Sequence, residues 1–436
     1  MQIRTAADVP VQRSPLRVRD SRRPGRGSRF APLRDRMPIR TLLLVFALLL
    51  DCRILLANQH LTPSGTIPLP GRGLVLAWAP DGRTIAVGGH MIDKARRNMR
   101  YDTKLYDVAT GAYLKAFGSH YWWVLALDWA VNPYLGEVIA DAGDDHSCKV
   151  WHPSGRGTLS TVRGQYRVED GALPGIRAIS SAGLLGINGT MLALHFSPDG
   201  KWLAGANRDR AVRIWQLAPG THRFRIVKMF YDYDGGNVTS VRWSPDGRFL
   251  AVGDRRGRVL VRAFDPAHDL WDDATVEDFQ KVPWRGIPYW MKTHLDAVTK
   301  DPVWMDDDHK VVWNVRWSPD GGRLAAVGTD GTLSVYDAST GDVVHREHAK
   351  PLYGLDWSPD GRLLAAGSGD HQIYVYDAAD GTPYDTLVGH DDLVTAVAWS
   401  PDGRTLASTA GGQLHSPALT SVVLGPDMNV RLWARE

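Results

Sequence analysis

The six-residue phrase Trp357-Ser358-Pro359-Asp360-Gly361-Arg362 recurs along the chain, and a recurring turn restricts a polypeptide to folds made of repeated units. Near-copies run Trp399–Arg404, Trp317–Arg323 with one extra glycine, Trp243–Arg248, Phe196–Lys201, and Trp78–Arg83 with Ala79 in place of serine. A degenerate seventh follows Trp129, where Val131-Asn132-Pro133-Tyr134-Leu135-Gly136 replaces the turn. Pro presets φ, Asp bonds its own backbone, and Gly supplies the positive φ that lets a strand double back. Apolar runs such as Leu352-Tyr353-Gly354-Leu355-Asp356-Trp357 precede each copy. Runs such as Leu363-Leu364-Ala365-Ala366 and Ile373-Tyr374-Val375-Tyr376 follow it. Strand, turn, strand, short loop, strand is a meander, and it occurs seven times.

At 436 residues the length alone suggests about three domains, but the internal repeat overrides that prior. A 44% hydrophobic and 23% charged composition is that of a globular chain with ample core. The two cysteines, Cys52 and Cys148, cannot build a disulfide framework, and metal-type Cys or His spacing is absent from the sequence. The net charge of +3 is misleading, because residues 1–57 hold 12 Arg against 4 Asp. The remainder carries 39 basic against 44 acidic side chains, a net of −5, which argues against a nucleic-acid groove.

Residues 1–36 are rich in Arg, Pro, Ser and Gly and read as a disordered extension, with Met37 an alternative start. Thr41 to Leu50 is an apolar run behind Arg40, the pattern of a secretory signal, and 37–60 is therefore a signal-like segment. It is shorter than the roughly 20 apolar residues of a membrane span, and Asp51 and Arg53 interrupt it. Export, periplasmic, secreted or membrane-anchored through 37–57, is the expectation; a docked amphipathic helix on a cytoplasmic protein is the alternative. Leu49-Leu50-Asp51-Cys52 has the outline of a lipidation box, with Asp51 where a small residue belongs.

Aligned on Trp78, Trp129, Phe196, Trp243, Trp317, Trp357 and Trp399, the units end their third strands at Tyr106, Trp151, Trp215, Phe264, Tyr336, Tyr376 and Trp433. Six residues before that aromatic stand Asp145, Asp209, Asp330, Asp370 and Asp427. Nine residues before the first-strand Trp stand His120, His348 and His390. Over residues 61–436 the chain resembles the WD-repeat β-propeller family. The resemblance implies an all-β, seven-bladed propeller of four-stranded antiparallel blades around a channel. Residues 62–69 precede the first inner strand, and the seventh unit lacks an outer strand, so the N-terminal strand is expected to close the ring. The resemblance also implies that the His and Asp residues bond inside the blades with a second-strand hydroxyl and the third-strand Trp. Unit seven supplies a full set: His390, Ser408, Asp427, Trp433. Recurrence across blades marks these His–Asp pairs as architecture rather than catalysis.

Other constellations are weak. Asp306-Asp307-Asp308-His309 offers cation ligands, and Asp232 to Asn237 resembles part of a calcium loop without its bidentate Glu. Asn188-Gly-Thr190 and Asn237-Val-Thr239 are glycosylation acceptors for a eukaryotic secreted chain. Nucleophile elbows, phosphate loops and dinucleotide fingerprints do not occur in the sequence, and no catalytic residue, cofactor or metal is expected.

Enlarged connections are the main functional signal. They lie at Gly89–Asp102, Gln165–Gly189, Asp265–Lys310 and Ala410–Pro426. With Val276–Val282 as the outer strand of unit four, all four decorate one face, the usual mark of a binding face. The third holds Trp271, Trp284, Trp290 and Trp304, read as partner anchors or as a packed lid. Tyr121-Trp122-Trp123 is a second aromatic cluster. In WD-repeat proteins, residues starting the inner strands and those before the blade Asp line the top rim. Here that implies Arg72, Tyr121, Trp123, Thr190, Arg208, Asn237, His309 and Thr329. The resulting expectation is a non-enzymatic scaffold for a protein or peptide partner. An exported Tol-type propeller shares the Trp-Ser-Pro-Asp-Gly turn but fits seven units poorly. A propeller enzyme would need paired titratable groups at the channel mouth.

Overall fold

The computed structural model describes residues 61–90, 101–145, 147–154, 158–163, 190–208, 210–217, 224–231, 236–266, 302–411, 413–415, 421–423 and 427–436. The extension 1–36, the signal-like segment 37–60, Trp284 and Trp290 lie outside these. The folded unit, Asn58–Glu436, is a ring of seven four-stranded antiparallel sheets. Their inner strands are Arg72–Trp78, Val124–Asn132, Met191–Phe196, Val238–Trp243, Val312–Trp317, Leu352–Trp357 and Val394–Trp399, which number blades one to seven.

Each meander is set by its turn. Gly82, Gly200, Gly247, Gly321, Gly361 and Gly403 all take φ between 67° and 72°, and Gly136 closes the degenerate turn at 72°. The turn serine bonds the turn aspartate and receives the backbone N–H that opens the second strand. For Ser358, these are Oγ to Asp360 Oδ1 at 2.5 Å and Leu363 N to Oγ at 2.9 Å. In blade two, Asn132 does this work, its Oδ1 accepting from Tyr134 and Leu135 and its Nδ2 reaching Gly200 O at 2.7 Å. Every inner strand also carries a β-bulge near its start, which adds local twist.

Closure is as the sequence implies. Leu61–Pro68 pairs antiparallel with Asn429–Arg435, becoming the outer strand of blade seven, and Leu61 N bonds Asp385 Oδ2 of blade six at 2.9 Å. Each seam has its own apolar cluster. The one between blades seven and one holds Ile67, Leu69, Leu76, Trp78, Ala407 and Leu432. Equivalent clusters fill the other six seams. A sheet with two apolar faces is stable only when both are covered, and the ring covers them.

Two expectations about blade four are corrected. Its outer strand is Trp304–Asp306, paired with Val259–Ala263, and not Val276–Val282. The connection after Ala263 therefore leaves on the face that carries the Pro-Asp-Gly turns, because Ala263 pairs with Phe249 at the turn end of the second strand. It does not join the other three enlarged connections, which leave from the opposite, blade-linking face. The third-strand position of Trp433 is occupied in blade four by Arg262, paired with Leu250, not by Phe264. Arg262 lies 5.7 Å over the Phe230 ring, while Phe264 packs edge-on against Trp202 and Trp243.

Candidate functional site

The polar set of blade seven is internal. His390 Nδ1 meets Asp427 Oδ2 at 2.7 Å, His390 Nε2 meets Ser408 Oγ at 2.8 Å, and Trp433 Nε1 donates to Ser408 Oγ at 2.9 Å. Burial opposes ionisation of Asp427, but the His390 hydrogen bond and charge outweigh it and lower its pKa to about 2. Blade two uses a carboxylate where blade seven has Ser408: Asp141 Oδ1 accepts from Trp151 Nε1 at 2.8 Å and meets His120 Nε2 at 3.1 Å. Thr103 of blade one donates to its other oxygen at 2.7 Å. Asp145 holds His120 Nδ1 at 2.9 Å. Burial pushes His120 down, but Asp141 and Asp145 together lift it to about 9.

His309 and Trp304 are corrected in role. His309 is 5% exposed, with Nε2 at 3.2 Å from Tyr336 Oη and 3.1 Å from Ser334 Oγ, so it is the histidine of a blade-five network rather than a rim residue. Trp304 is 9% exposed in an outer strand and donates Nε1 to Ala338 O at 2.9 Å, so it seals the seam of blades four and five. His348, expected inside blade six, is exposed at the end of the outer strand of blade five. Asp209 lies outside the described residues.

The remaining rim residues form a connected arc on the blade-linking face over blades one to four. Arg72 pairs across the strand with His90, whose ring meets Trp123 edge-on at 5.5 Å. Asp144 N bonds Trp123 O, and Asp144 Oδ1 accepts the Thr190 hydroxyl. Arg208 N bonds Thr190 O, and Arg255 N bonds Asn237 O. Burial and then the Arg208 cation lower the pKa of Arg255, so these two guanidiniums are neighbours. Thr190 is buried and its hydroxyl is spent, whereas Tyr121 and Trp122 are 66% and 57% exposed. Thr329, bonded to Val311 O, continues the ring at blade five away from this arc. Arg255 and Asp144 were not among the expected rim residues; each directly follows a second strand, as Arg208 does, and that offset would have found them.

The expected channel is about 470 Å³ in volume and lined by the inner strands, and sequence reasoning missed which side chains line it. The residue before each first-strand aromatic points into it: Ala77, Asp128, His195, Arg242, Arg316, Asp356 and Ala398, one per blade. Three of them receive the backbone N–H of the next blade's aromatic. Phe196 N donates to Asp128 Oδ2 at 2.7 Å, Trp243 N to His195 Nδ1 at 3.1 Å, and Trp399 N to Asp356 Oδ2 at 2.8 Å. Burial raises Asp128 to about 6 and raises Asp356, while burial and then the two arginines hold His195 well down. Burial and then Arg316 lower Arg242 to about 9.

The acidic run Asp306–Asp308 is already committed. Arg346 Nη2 bonds Asp306 at 2.9 Å and Nη1 bonds Asp308 at 2.8 Å, and Tyr336 also donates to Asp306. These bonds engage two of the three carboxylates, and Asp307 is exposed. Asp232 and Asp234 lie outside the described residues. Thr239, the hydroxyl of one glycosylation triplet, is buried and donates to Gly253 O and Val312 O.

A closed ring of seven four-stranded blades with internal His–Asp–Ser–Trp bonding is a β-propeller of the WD type. The repeat family described as "WD domain, G-beta repeat" matches residues 185–216, 224–261, 341–377 and 381–433. An "Anaphase-promoting complex subunit 4 WD40 domain" matches residues 298–352. The chain belongs to the WD-repeat propeller family. Among curated proteins it is 27% identical to Actin-interacting protein 1-2 of Arabidopsis thaliana over 168 residues, 34% of this chain and 26% of that protein. It is 27% identical to WD repeat-containing protein 1-B of Xenopus laevis over 172 residues, 35% of this chain and 27% of that one. It is 31% identical to Protein hir-1 of Neurospora crassa over 170 residues, 36% of this chain and 15% of that one. The matched stretch spans roughly a quarter or less of these relatives.

Proposed function

We propose that this propeller is a non-enzymatic scaffold that docks a protein or peptide partner on its blade-linking face, at the arc from Arg72 to Asn237. The observation that carries this reading is the exposed Tyr121–Trp122 pair, set beside the Arg72–His90–Trp123 stack and continuing to the Arg208–Arg255 pair. Aromatic and arginine side chains dominate interface hot spots, and large exposed aromatics are a cost unless a partner covers them. Three enlarged connections leave from the same face. Relatives named for interaction with actin share the repeat, which supports a protein partner and leaves its identity open. The test is recovery from source-cell lysate, quantified by mass spectrometry, on wild type and on Tyr121→Ala/Trp122→Ala. Loss of a specific protein with the double variant is expected; equal recovery of every protein would move the site elsewhere. Export through residues 37–57 is part of the proposal, and a fusion of residues 1–60 to an export reporter tests it.

A further inference from the structure

The channel belt divides into two chemically distinct arcs. On blades three, four and five it presents donors only. His195 accepts the Trp243 N–H at Nδ1, so the neutral ring carries its proton on Nε2, which faces the channel. Arg242 spends one nitrogen, Nη1, on the carbonyls of Leu194 and Val241, at 3.0 and 2.9 Å. Its Nε and Nη2 have no protein partner among the described residues. Arg316 likewise spends Nη1 on Asn314 Oδ1 and Val315 O, and its Nε lies 3.6 Å from Asp356. Its Nη2 has no protein partner among the described residues. The carboxylates sit on blades two and six, at the ends of the donor arc, and each is already held by a backbone N–H.

Two guanidiniums on adjacent blades repel one another, and here burial and then the Arg316 cation lower the proton affinity of Arg242. Such a pair is costly in a protein-walled channel unless an anion bridges it. Arg242 has no carboxylate in ion-pair contact among the described residues; Asp128 and Asp356 offset its charge from a distance, and Asp356 makes its contact with Arg316. The unspent Nε–Nη2 edge of Arg242 is of the kind that holds an oxyanion bidentately, and Arg316 Nη2 can add a single further bond. The channel volume of about 470 Å³ leaves room for a tetrahedral anion together with water.

We propose that the channel of this propeller binds a small tetrahedral oxyanion of the phosphate class between Arg242 and Arg316, with His195 Nε2 as a third donor. The ligand is either free phosphate or the phosphate of a small phosphomonoester. The site is on the channel wall, apart from the rim arc, and its success or failure is independent of partner docking there.

The test is calorimetric titration of the full chain with sulfate, inorganic phosphate and glycerol 3-phosphate, repeated on Arg242→Gln and Arg316→Gln. One saturable site per chain is expected in the wild type, with affinity at least tenfold weaker in each variant. Sulfate should raise the melting temperature of the wild type and leave the variants unmoved. Tighter binding of the phosphomonoester than of phosphate supports the site and assigns a carried ligand; the reverse supports it and assigns the free ion. Absence of saturable binding to the wild type, or variants within twofold of it, overturns the proposal. Should either variant fail to fold, wild-type crystals soaked in selenate decide the matter. An anomalous peak between the two guanidiniums is expected, and a peak elsewhere or none overturns the site.

Discussion

Replacing Asp141 by alanine removes the acceptor of three buried donors at once: His120 Nε2 at 3.1 Å, Trp151 Nε1 at 2.8 Å and Thr103 Oγ1 at 2.7 Å. Each group left unsatisfied costs about 1–3 kcal/mol, so Asp141→Ala should destabilise by about 4–5 kcal/mol. That agrees with the roughly 3–5 kcal/mol for breaking a buried charge pair. Asp141→Ser places a hydroxyl where blade seven has Ser408, which serves both its histidine and its tryptophan. Only Thr103 is then orphaned, and the cost should fall to about 1–2 kcal/mol. The pH dependence separates the two roles of the carboxylate. His120 is raised to about 9 in the fold against about 6.5 unfolded. Its contribution is therefore full below pH 6.5 and is lost as pH rises through about 9, a drop of about 3 kcal/mol in the wild type. The drop should shrink in Asp141→Ser, where Asp145 alone holds the imidazolium. Urea unfolding followed by tryptophan fluorescence at pH 6 and pH 9.5 measures both effects. Equal losses for Ala and Ser, or a wild type whose stability is flat between the two pH values, would refute the reasoning.

Gly136 and Gly200 take nearly the same positive φ, yet they differ in surroundings. A Cβ at Gly136 meets nothing, so Gly136→Ala should cost about 1 kcal/mol of backbone strain; at Gly200 it lands 2.2 Å from Val131 O, and Gly200→Ala should cost clearly more by the same urea assay. Removing residues 1–68 strips the outer strand from Asn429–Arg435 and uncovers its edge. Size-exclusion chromatography should show aggregation of that truncation, and a monodisperse, equally stable product would contradict the closure.

The sequence made the ring legible because the Pro-Asp-Gly turn is a local device whose residues dictate its geometry without help from distant packing. Even the degenerate turn reappears, with Gly136 in the expected conformation and Asn132 replacing serine. The network of blade seven was readable for the same reason: its four residues sit at fixed offsets. What failed was register across long insertions. Between Ala263 and Trp304 nothing local fixes which run becomes the outer strand, so Trp304 read as an anchor rather than as a sealed seam. His309 stands eight rather than nine residues before its tryptophan, and that slip disguised it while His348, at the right spacing, points to solvent. Asp141 and the belt from Asp128 to Asp356 were hidden because a charge in a strand acquires meaning only when other blades converge on it.

The most direct test of the docking face is site-specific photocrosslinking, with p-benzoylphenylalanine placed at Trp122 on the blade-linking face and at Asp402 on the turn face. Both positions are exposed, and because Asp402 accepts the Ser400 hydroxyl and the Arg404 N–H, the melting temperature of each variant is matched to wild type before crosslinking. The scaffold reading predicts one discrete adduct from Trp122 in source-cell lysate and none from Asp402. The same adduct from Asp402 alone, or none from Trp122, would contradict it.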